Sequence, residues 1–137
     1  MKDRFALLLA ALWWGSLTTI GFLVVPMLFA QLGNPTMAGN FAGQLFAAQT
    51  WIALGCGLVL LVYYRARGGE RIEGRPLTAI AWIVAALLLA LLQQYAVAPH
   101  ILARENLRLW HSLGSAMYLG QWICAGVLLW RMERSPG

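Results

Sequence analysis

Four long apolar stretches place the tightest constraint on how this chain can fold. They lie in predicted helices at about 5–29, 35–64, 76–99 and 106–131. Each helix contains close to the roughly 20 apolar residues needed to cross about 30 Å of hydrocarbon. No stretch alternates with period two as a barrel strand would, and a backbone in lipid must satisfy its own hydrogen bonds. The sequence therefore predicts an all-α integral membrane four-helix bundle, a single domain over residues 1–137.

Charged residues avoid the apolar part of every predicted helix. They make up 11% of the chain, whereas soluble domains carry about 25%. The net charge of +5 comes from residues that flank the spans, so it does not indicate a face that binds nucleic acid. The expected partner of these charges is the lipid bilayer, through its headgroups.

Lys and Arg residues are divided unequally between the two sides of the predicted bundle. Eight of the ten belong to the terminal segments or to the loop between the second and third helices. By the positive-inside rule, both termini and this loop, from Arg65 to Arg75, are expected in the cytoplasm. The first apolar run is longer than the roughly 7–15 residues of a signal-peptide core, which favours an uncleaved span. We therefore expect a multi-pass protein of the bacterial inner membrane.

Proline positions predict how the helices begin, bend and end. Asn34 followed by Pro35 is typical of an N-cap and first helical position, and Pro76 is placed to open the third helix. Pro26 lies inside the first span, where it removes a backbone donor and predicts a kink. Pro99 is predicted to close the third helix.

Polar residues inside the spans are unfavourable in lipid and should face the bundle interior. On the fourth helix they recur at spacings of three and four, which places them on one stripe. Because the helices alternate in direction, other polar residues join this stripe near the periplasmic surface. The sequence predicts a polar pocket there, which either holds the helices together by hydrogen bonds or binds a small ligand, a metal or a proton. The pocket candidates are Gln44, Gln93, Gln94, His111, Ser115, Tyr118 and Gln121.

Two histidines are the candidate metal ligands. His111 is predicted to lie within a span, where a neutral imidazole can bind a metal, relay a proton or bond a neighbouring amide. His100 follows Pro99 and would approach His111 if the third and fourth helices form a hairpin. Imidazole together with the thioethers of Met27, Met37 and Met117 would suit copper.

Catalytic motifs are missing from the sequence. It has no intramembrane carboxylate, no glycine-rich phosphate loop, no GxSxG and no HExxH. Cys56 and Cys124 have no CxxC or zinc spacing and are expected to be small packing residues. An enzymatic role is therefore not favoured, no cofactor is predicted, and cofactor-binding residues are not identified.

Several motifs carry a resemblance to a known family. They are Trp14-Gly15, Pro26-x-x-Phe29, Gly43-x-x-Phe46 and the aromatic-His111-x-Leu113 pattern. On these motifs the chain resembles the bacterial branch of the transmembrane protein 205-like family, also called domain of unknown function 4149. The resemblance implies a four-helix membrane protein with no agreed biochemical activity.

A fainter likeness is to four-helix copper-resistance proteins and to the heme-containing membrane protoporphyrinogen oxidase. The resemblance implies a histidine heme ligand in the first helix, and this chain has none between Phe5 and Phe29. That difference weighs against a heme bound in their manner.

Three functional hypotheses follow, in decreasing order of support. The first is a noncatalytic inner-membrane protein that packs against a membrane protein partner. The second is a protein that handles a small solute or a copper-like metal through the periplasm-facing pocket around His111. The third is a heme-dependent or redox membrane enzyme. The oligomeric state is not predicted.

Overall fold

The computed structural model describes residues 2–68, 75–103 and 106–134. It has four helices long and apolar enough to cross a membrane, and no strand occurs in the described residues. This confirms the predicted all-α four-helix bundle and supports a multi-pass membrane protein. The first to fourth spans are Arg4–Gln31, Pro35–Ala66, Thr78–Ile101 and Arg108–Met132.

Two of the four spans contain a turn of π-helix. The first span consists of α1, π1 and α2 in uninterrupted succession, and the third consists of α4, π2 and α5. The second and fourth spans are single helices, α3 and α6. The elements are α1 (Lys2–Thr19), π1 (Ile20–Val24), α2 (Val25–Gln31), α3 (Pro35–Gly68), α4 (Arg75–Leu92), π2 (Gln93–Val97), α5 (Ala98–Leu102) and α6 (Leu107–Arg134).

Each π-helical turn stands at the same distance before a proline. π1 starts at Ile20, six positions before Pro26, and π2 starts at Gln93, six positions before Pro99. A proline ring in an α-helix lacks the N–H donor and crowds the carbonyl four residues earlier. Widening the preceding turn to i→i+5 bonds removes that clash, and the helix continues past the proline.

Helix ends agree with the sequence at one proline and differ at another. Asn34 caps α3 as predicted, because its Oδ1 accepts hydrogen bonds from the backbone N–H of Thr36 at 3.0 Å and of Met37 at 3.3 Å. The prediction that Pro99 closes the third helix is wrong, because α5 continues to Leu102. The central part of the predicted Arg65–Arg75 loop, residues 69–74, lies outside the described residues.

The bundle is antiparallel, and each span packs on two neighbours. The first span contacts the second and fourth, and the third span also contacts the second and fourth. Glycines allow close approach at two of these contacts. A Cβ built on Gly57 would lie 2.6 Å from a Leu87 methyl carbon, and one built on Gly126 would lie 2.8 Å from Trp14 Nε1.

The best-packed part of the core lies in the half of the bundle that holds the two termini. Fully buried large side chains there include Trp13, Leu60 and Leu128. Cys56 and Cys124 are buried in the same cluster and are not joined, in agreement with their expected packing role. Large apolar side chains such as Leu8 and Val62 are exposed on the outside of the bundle, where a membrane protein meets lipid.

Candidate functional site

A cavity of about 480 Å³ lies in the half of the bundle away from the termini. Its walls come from π1 and α2 of the first span, the first half of α3, π2 and α5 of the third span, and the first half of α6. Both π-helical turns therefore border the cavity, a position in which such turns often occur. The polar residues in its lining are Gln49, Thr50, Gln93, Gln94, His111, Ser115, Tyr118 and Gln121.

Six of the seven pocket candidates named from the sequence line this cavity, all except Gln44. Gln44 is exposed on the second span. Gln49, a polar residue of the same helix that is not among the predicted pocket residues, lines the cavity instead. Five helical positions separate the two glutamines, which puts their side chains about 140° apart around the helix axis. The available signal for Gln49 was its position beside Thr50 in the middle of the second apolar stretch.

The two histidines occupy different environments. His111 is exposed and lines the cavity, so it lies at the cavity mouth. His100 is not in the cavity lining, and its ring stacks on Trp110 with centroids 4.1 Å apart and an interplanar angle of 7°. Among the described residues there is no group of three His, Cys, Asp or Glu side chains that could hold a metal. A copper site at His111 and His100 stays a prediction, as does a bound heme.

Tyr118, Gln121 and Gln93 tie the fourth span to its neighbours. The Tyr118 hydroxyl donates to the carbonyl oxygen of Leu17 at 2.6 Å, so the fourth span is joined to the first. Its ring lies against Gly21 in π1, where any side chain would collide with it. Gln121 Nε2 donates to Gln93 Oε1 at 2.6 Å, which joins the fourth span to the third. These bonds match the structural interpretation of the polar stripe.

Three other lining residues are not used in this way. Among the described residues, no hydrogen-bond partner is found for the side chains of Gln94, His111 or Ser115. Gln94 is half-buried, whereas His111 and Ser115 are exposed. These groups are available to a molecule that enters the cavity.

Gln49 is the most constrained polar residue of the site. Its side chain is 2% exposed, and its Nε2 donates to Ser16 Oγ at 3.0 Å. Ser16 uses its own proton on the carbonyl oxygen of Trp13 at 2.8 Å. The serine oxygen can therefore only accept from Gln49, which fixes the amide with its NH₂ group toward Ser16.

The other end of the Gln49 amide lacks a partner. Oε1 is buried and has no hydrogen-bond partner among the described residues. A buried acceptor left unpaired costs about 1–3 kcal/mol. Gln49 is one of the residues that line the cavity, so an occupant whose donor reaches Oε1 would remove this cost.

The remaining lining determines what kind of molecule the cavity suits. It includes Phe22, Phe46 and Leu119, and none of the described residues in the lining is Asp, Glu, Lys or Arg. An apolar wall with a few polar groups is typical of small-molecule sites, whose volumes are about 300–1,000 Å³. The chemistry available is hydrogen bonding to an uncharged molecule.

Comparison with known proteins identifies the family of the chain. The model of a domain of unknown function, DUF4149, matches residues 8–109. The match covers most of the first span and all of the second and third, and it ends before His111, so the polar residues of the fourth span lie outside it. No curated protein and no solved structure matches the chain. Since the matched segment is well over half of the 137 residues, the chain belongs to the DUF4149 family.

Proposed function

We propose that this protein is a noncatalytic membrane protein that binds a small uncharged molecule in the cavity between its four spans. The observation that carries the proposal is a set of lining residues whose polar groups lack partners in the described part of the chain: the side chains of Gln94, His111 and Ser115, and the buried Oε1 of Gln49. Polar groups within a membrane protein are unfavourable unless something pairs with them. A bound molecule would supply the missing hydrogen bonds.

We also propose how the protein is oriented and which cellular membrane holds it. Both termini lie in the cytoplasm and the protein is in the bacterial inner membrane, so the cavity belongs to the periplasmic half of the bundle. The unequal distribution of Lys and Arg supports this orientation. The Trp14-Gly15 and Pro26-x-x-Phe29 motifs support the finer assignment to the bacterial branch of the transmembrane protein 205-like family.

Filling the cavity tests the proposed function. Gly39 lines the cavity and an added Cβ there meets nothing within 4 Å, so Gly39→Phe should occupy the space without disturbing the backbone. Gly55 is equally open on the same helix but does not line the cavity, which makes Gly55→Phe the matched control. The measurement is mass spectrometry of small molecules extracted from protein purified gently from native membranes.

The expected result is one small molecule in near-stoichiometric amount with the natural chain and with Gly55→Phe. Its amount should fall at least about tenfold in Gly39→Phe, because the phenyl ring occupies its site. Equal amounts of every co-purified molecule in the two variants would contradict a site in this cavity.

A second candidate function, docking onto a larger membrane protein, is favoured by Trp51. Its side chain is 69% exposed at the middle of the second span, Pro35–Ala66. Tryptophan in membrane proteins is enriched at the headgroup level near the span ends. A partner helix that covers the indole would account for an exposed Trp51 at mid-membrane depth.

Exchange of Trp51 tests this candidate. Trp51→Leu should lose a partner that is cross-linked in cells and identified by mass spectrometry after purification, because leucine leaves the indole's contact area unfilled. Trp130 is similarly exposed, at 62%, but lies near a span end, so Trp130→Leu should keep the partner. The same set of cross-linked proteins in both variants would count against docking at Trp51.

A further inference from the structure

The contact line between the first and fourth spans is open at the cavity end of the bundle. There α2 packs on α3, α3 packs on α5, and α5 packs on α6, so three of the four lines between neighbouring spans are closed. Along the fourth line, α1 packs on α6. Within the described residues, no contact of similar extent is found between α2, the continuation of the same span, and α6. The two spans therefore separate beyond π1.

Aromatic packing marks where this contact line stops. The indole rings of Trp14 and Trp122 stack with centroids 5.8 Å apart, and the ring of Phe22 meets Trp122 edge-on at 5.3 Å. Trp122 Nε1 also donates to Thr18 Oγ1 at 2.8 Å. These contacts fix the first span against α6 as far as Phe22 in π1. The rest of π1 and Pro26 follow at this point, and π turns and prolines are the usual causes of a bend in a helix.

The cavity reaches the outer surface of the bundle along this open line. Phe22 and Phe29 of the first span are exposed and also line the cavity, and Ser115 and Leu119 of the fourth span share both properties. A residue that is exposed and lines a cavity stands where the cavity meets the surface. We call the opening between these four residues the portal. All four lie within the spans, so the portal faces lipid.

The portal and the lining together indicate which class of molecule the cavity suits. A molecule that arrives from the lipid phase needs an apolar body. A charged headgroup would be unfavourable beside the described part of the lining, which contains no Asp, Glu, Lys or Arg. Oε1 of the lining residue Gln49 is buried and has no partner among the described residues, so a headgroup that pairs with it must carry an O–H or N–H donor.

We propose that the cavity takes up an uncharged single-chain amphiphile with an O–H or N–H headgroup directly from the bilayer, through the portal between the first and fourth spans. This proposal rests on the proposed function and specifies the ligand class and route of the same site. The headgroup donates to Gln49 Oε1, and the chain lies along Phe22 and Leu119 toward the portal.

The ligand class is tested with the natural chain, so that no variant needs to fold. The protein is placed in phosphatidylcholine vesicles with a decanol analogue that carries a photoreactive diazirine on its chain. Labelled residues are mapped by mass spectrometry. The competitors 1-decanol, decyl methyl ether and decanoate are compared at equal concentration in the membrane.

Labelling should be found at the portal and in the cavity lining. 1-Decanol should suppress it at about tenfold lower concentration than decyl methyl ether, which has the oxygen but no donor. Decanoate should compete as weakly as the ether, because its charge would be buried. Equal competition by alcohol and ether, or strongest competition by decanoate, would overturn the ligand class.

Substitution of Gln49 adds a second readout. Gln49→Leu should abolish the difference between alcohol and ether, since the acceptor is gone. Gln44→Leu exchanges the same residue type on the same span, outside the cavity, and should keep the difference. An unchanged preference for the alcohol in Gln49→Leu would show that Gln49 does not bind the headgroup.

The route is tested by blocking the portal. Leu119→Trp places a large ring at the rim, and Ile123→Trp places it one turn further along the same exposed helix, outside the cavity lining. The initial labelling rate should fall about tenfold in Leu119→Trp and stay unchanged in Ile123→Trp. Equal rates in the two variants would overturn entry through the portal.

Failure of this inference is distinguishable from failure of the proposed function. A co-purified molecule that is lost in Gly39→Phe, combined with no labelling by the decanol probe, would reject the amphiphile and leave the cavity as a binding site. If Gly39→Phe changed neither co-purification nor labelling, the proposed function and the inference would both be rejected.

Discussion

Hydrogen-bond partners divide the cavity's polar residues into two groups with different roles. Tyr118 and Gln121 are committed to joining the fourth span to its neighbours. Gln94 and His111 make no such bond among the described residues. The two interpretations of the polar stripe that the sequence allowed therefore apply to different members of it. Spacing alone could not separate them, because the partners lie on other helices and not on the stripe itself.

At the residue scale, Tyr118→Phe should lower the free energy of unfolding by about 0.6–1.7 kcal/mol. The substitution removes the bond to the Leu17 carbonyl and keeps the ring, and hydrogen bonds between membrane helices have about this worth. The measurement is reversible unfolding in mixed micelles. Tyr95→Phe is the control, because Tyr95 is 65% exposed and its hydroxyl should contribute little. Equal destabilisation by the two variants would contradict a specific role of the Tyr118 hydroxyl.

At the scale of elements, the two π-helical turns shape the cavity half of the bundle. Each precedes a proline by the same spacing, and each contributes residues to the cavity lining. A π turn adds a residue to the helical repeat, so side chains beyond it face a direction that a regular α-helix would not give. Neither Pro26 nor Pro99 lines the cavity. Through the π turns that precede them, these prolines are associated with the direction in which the lining side chains face.

Opposite effects are expected from two alanine substitutions in the first span. Gly21→Ala should destabilise the protein, because its Cβ would lie only 2.9 Å from the Tyr118 Cζ atom. Gly15→Ala meets nothing within 4 Å and should stabilise the helix by about 0.5–1 kcal/mol, as alanine does relative to glycine. Thermal unfolding in detergent measures both. Stabilisation by Gly21→Ala would show that π1 does not hold Tyr118 closely.

At the scale of the whole molecule, the sequence predicts the number of spans and most of the polar residues that line the cavity. Length and hydropathy predict four helices because the bilayer sets both the length and the apolarity of a span. The stripe on the fourth helix was found because α6 is a regular α-helix, so its period holds throughout. The Asn34 cap was found because the capping bonds are local.

Features that depend on packing between spans cannot be predicted from hydropathy, spacing or local capping motifs. The end of the third helix was misplaced because π2 lets the chain continue beyond Pro99. The predicted pocket includes Gln44 and not Gln49. The rotation of α3 about its own axis decides which of the two faces the cavity, and that rotation depends on packing against the neighbouring helices. The open line between the first and fourth spans has the same origin, since it follows from the path of α2 after π1.

The orientation of the whole bundle is the remaining prediction, and it determines which side of the membrane the cavity belongs to. Cys56 and Cys124 are buried, and both are first replaced by serine or alanine. Each test variant then carries one introduced cysteine as its single thiol. Gln31→Cys lies at the cavity end and Arg65→Cys at the opposite end, and both positions are exposed. A membrane-impermeant maleimide added to spheroplasts should label Gln31→Cys at once and Arg65→Cys only after lysis, because the Arg-rich side is retained in the cytoplasm. The reverse pattern would place the cavity in the cytoplasmic half and contradict the charge-based orientation, while the fold and the portal would keep their geometry.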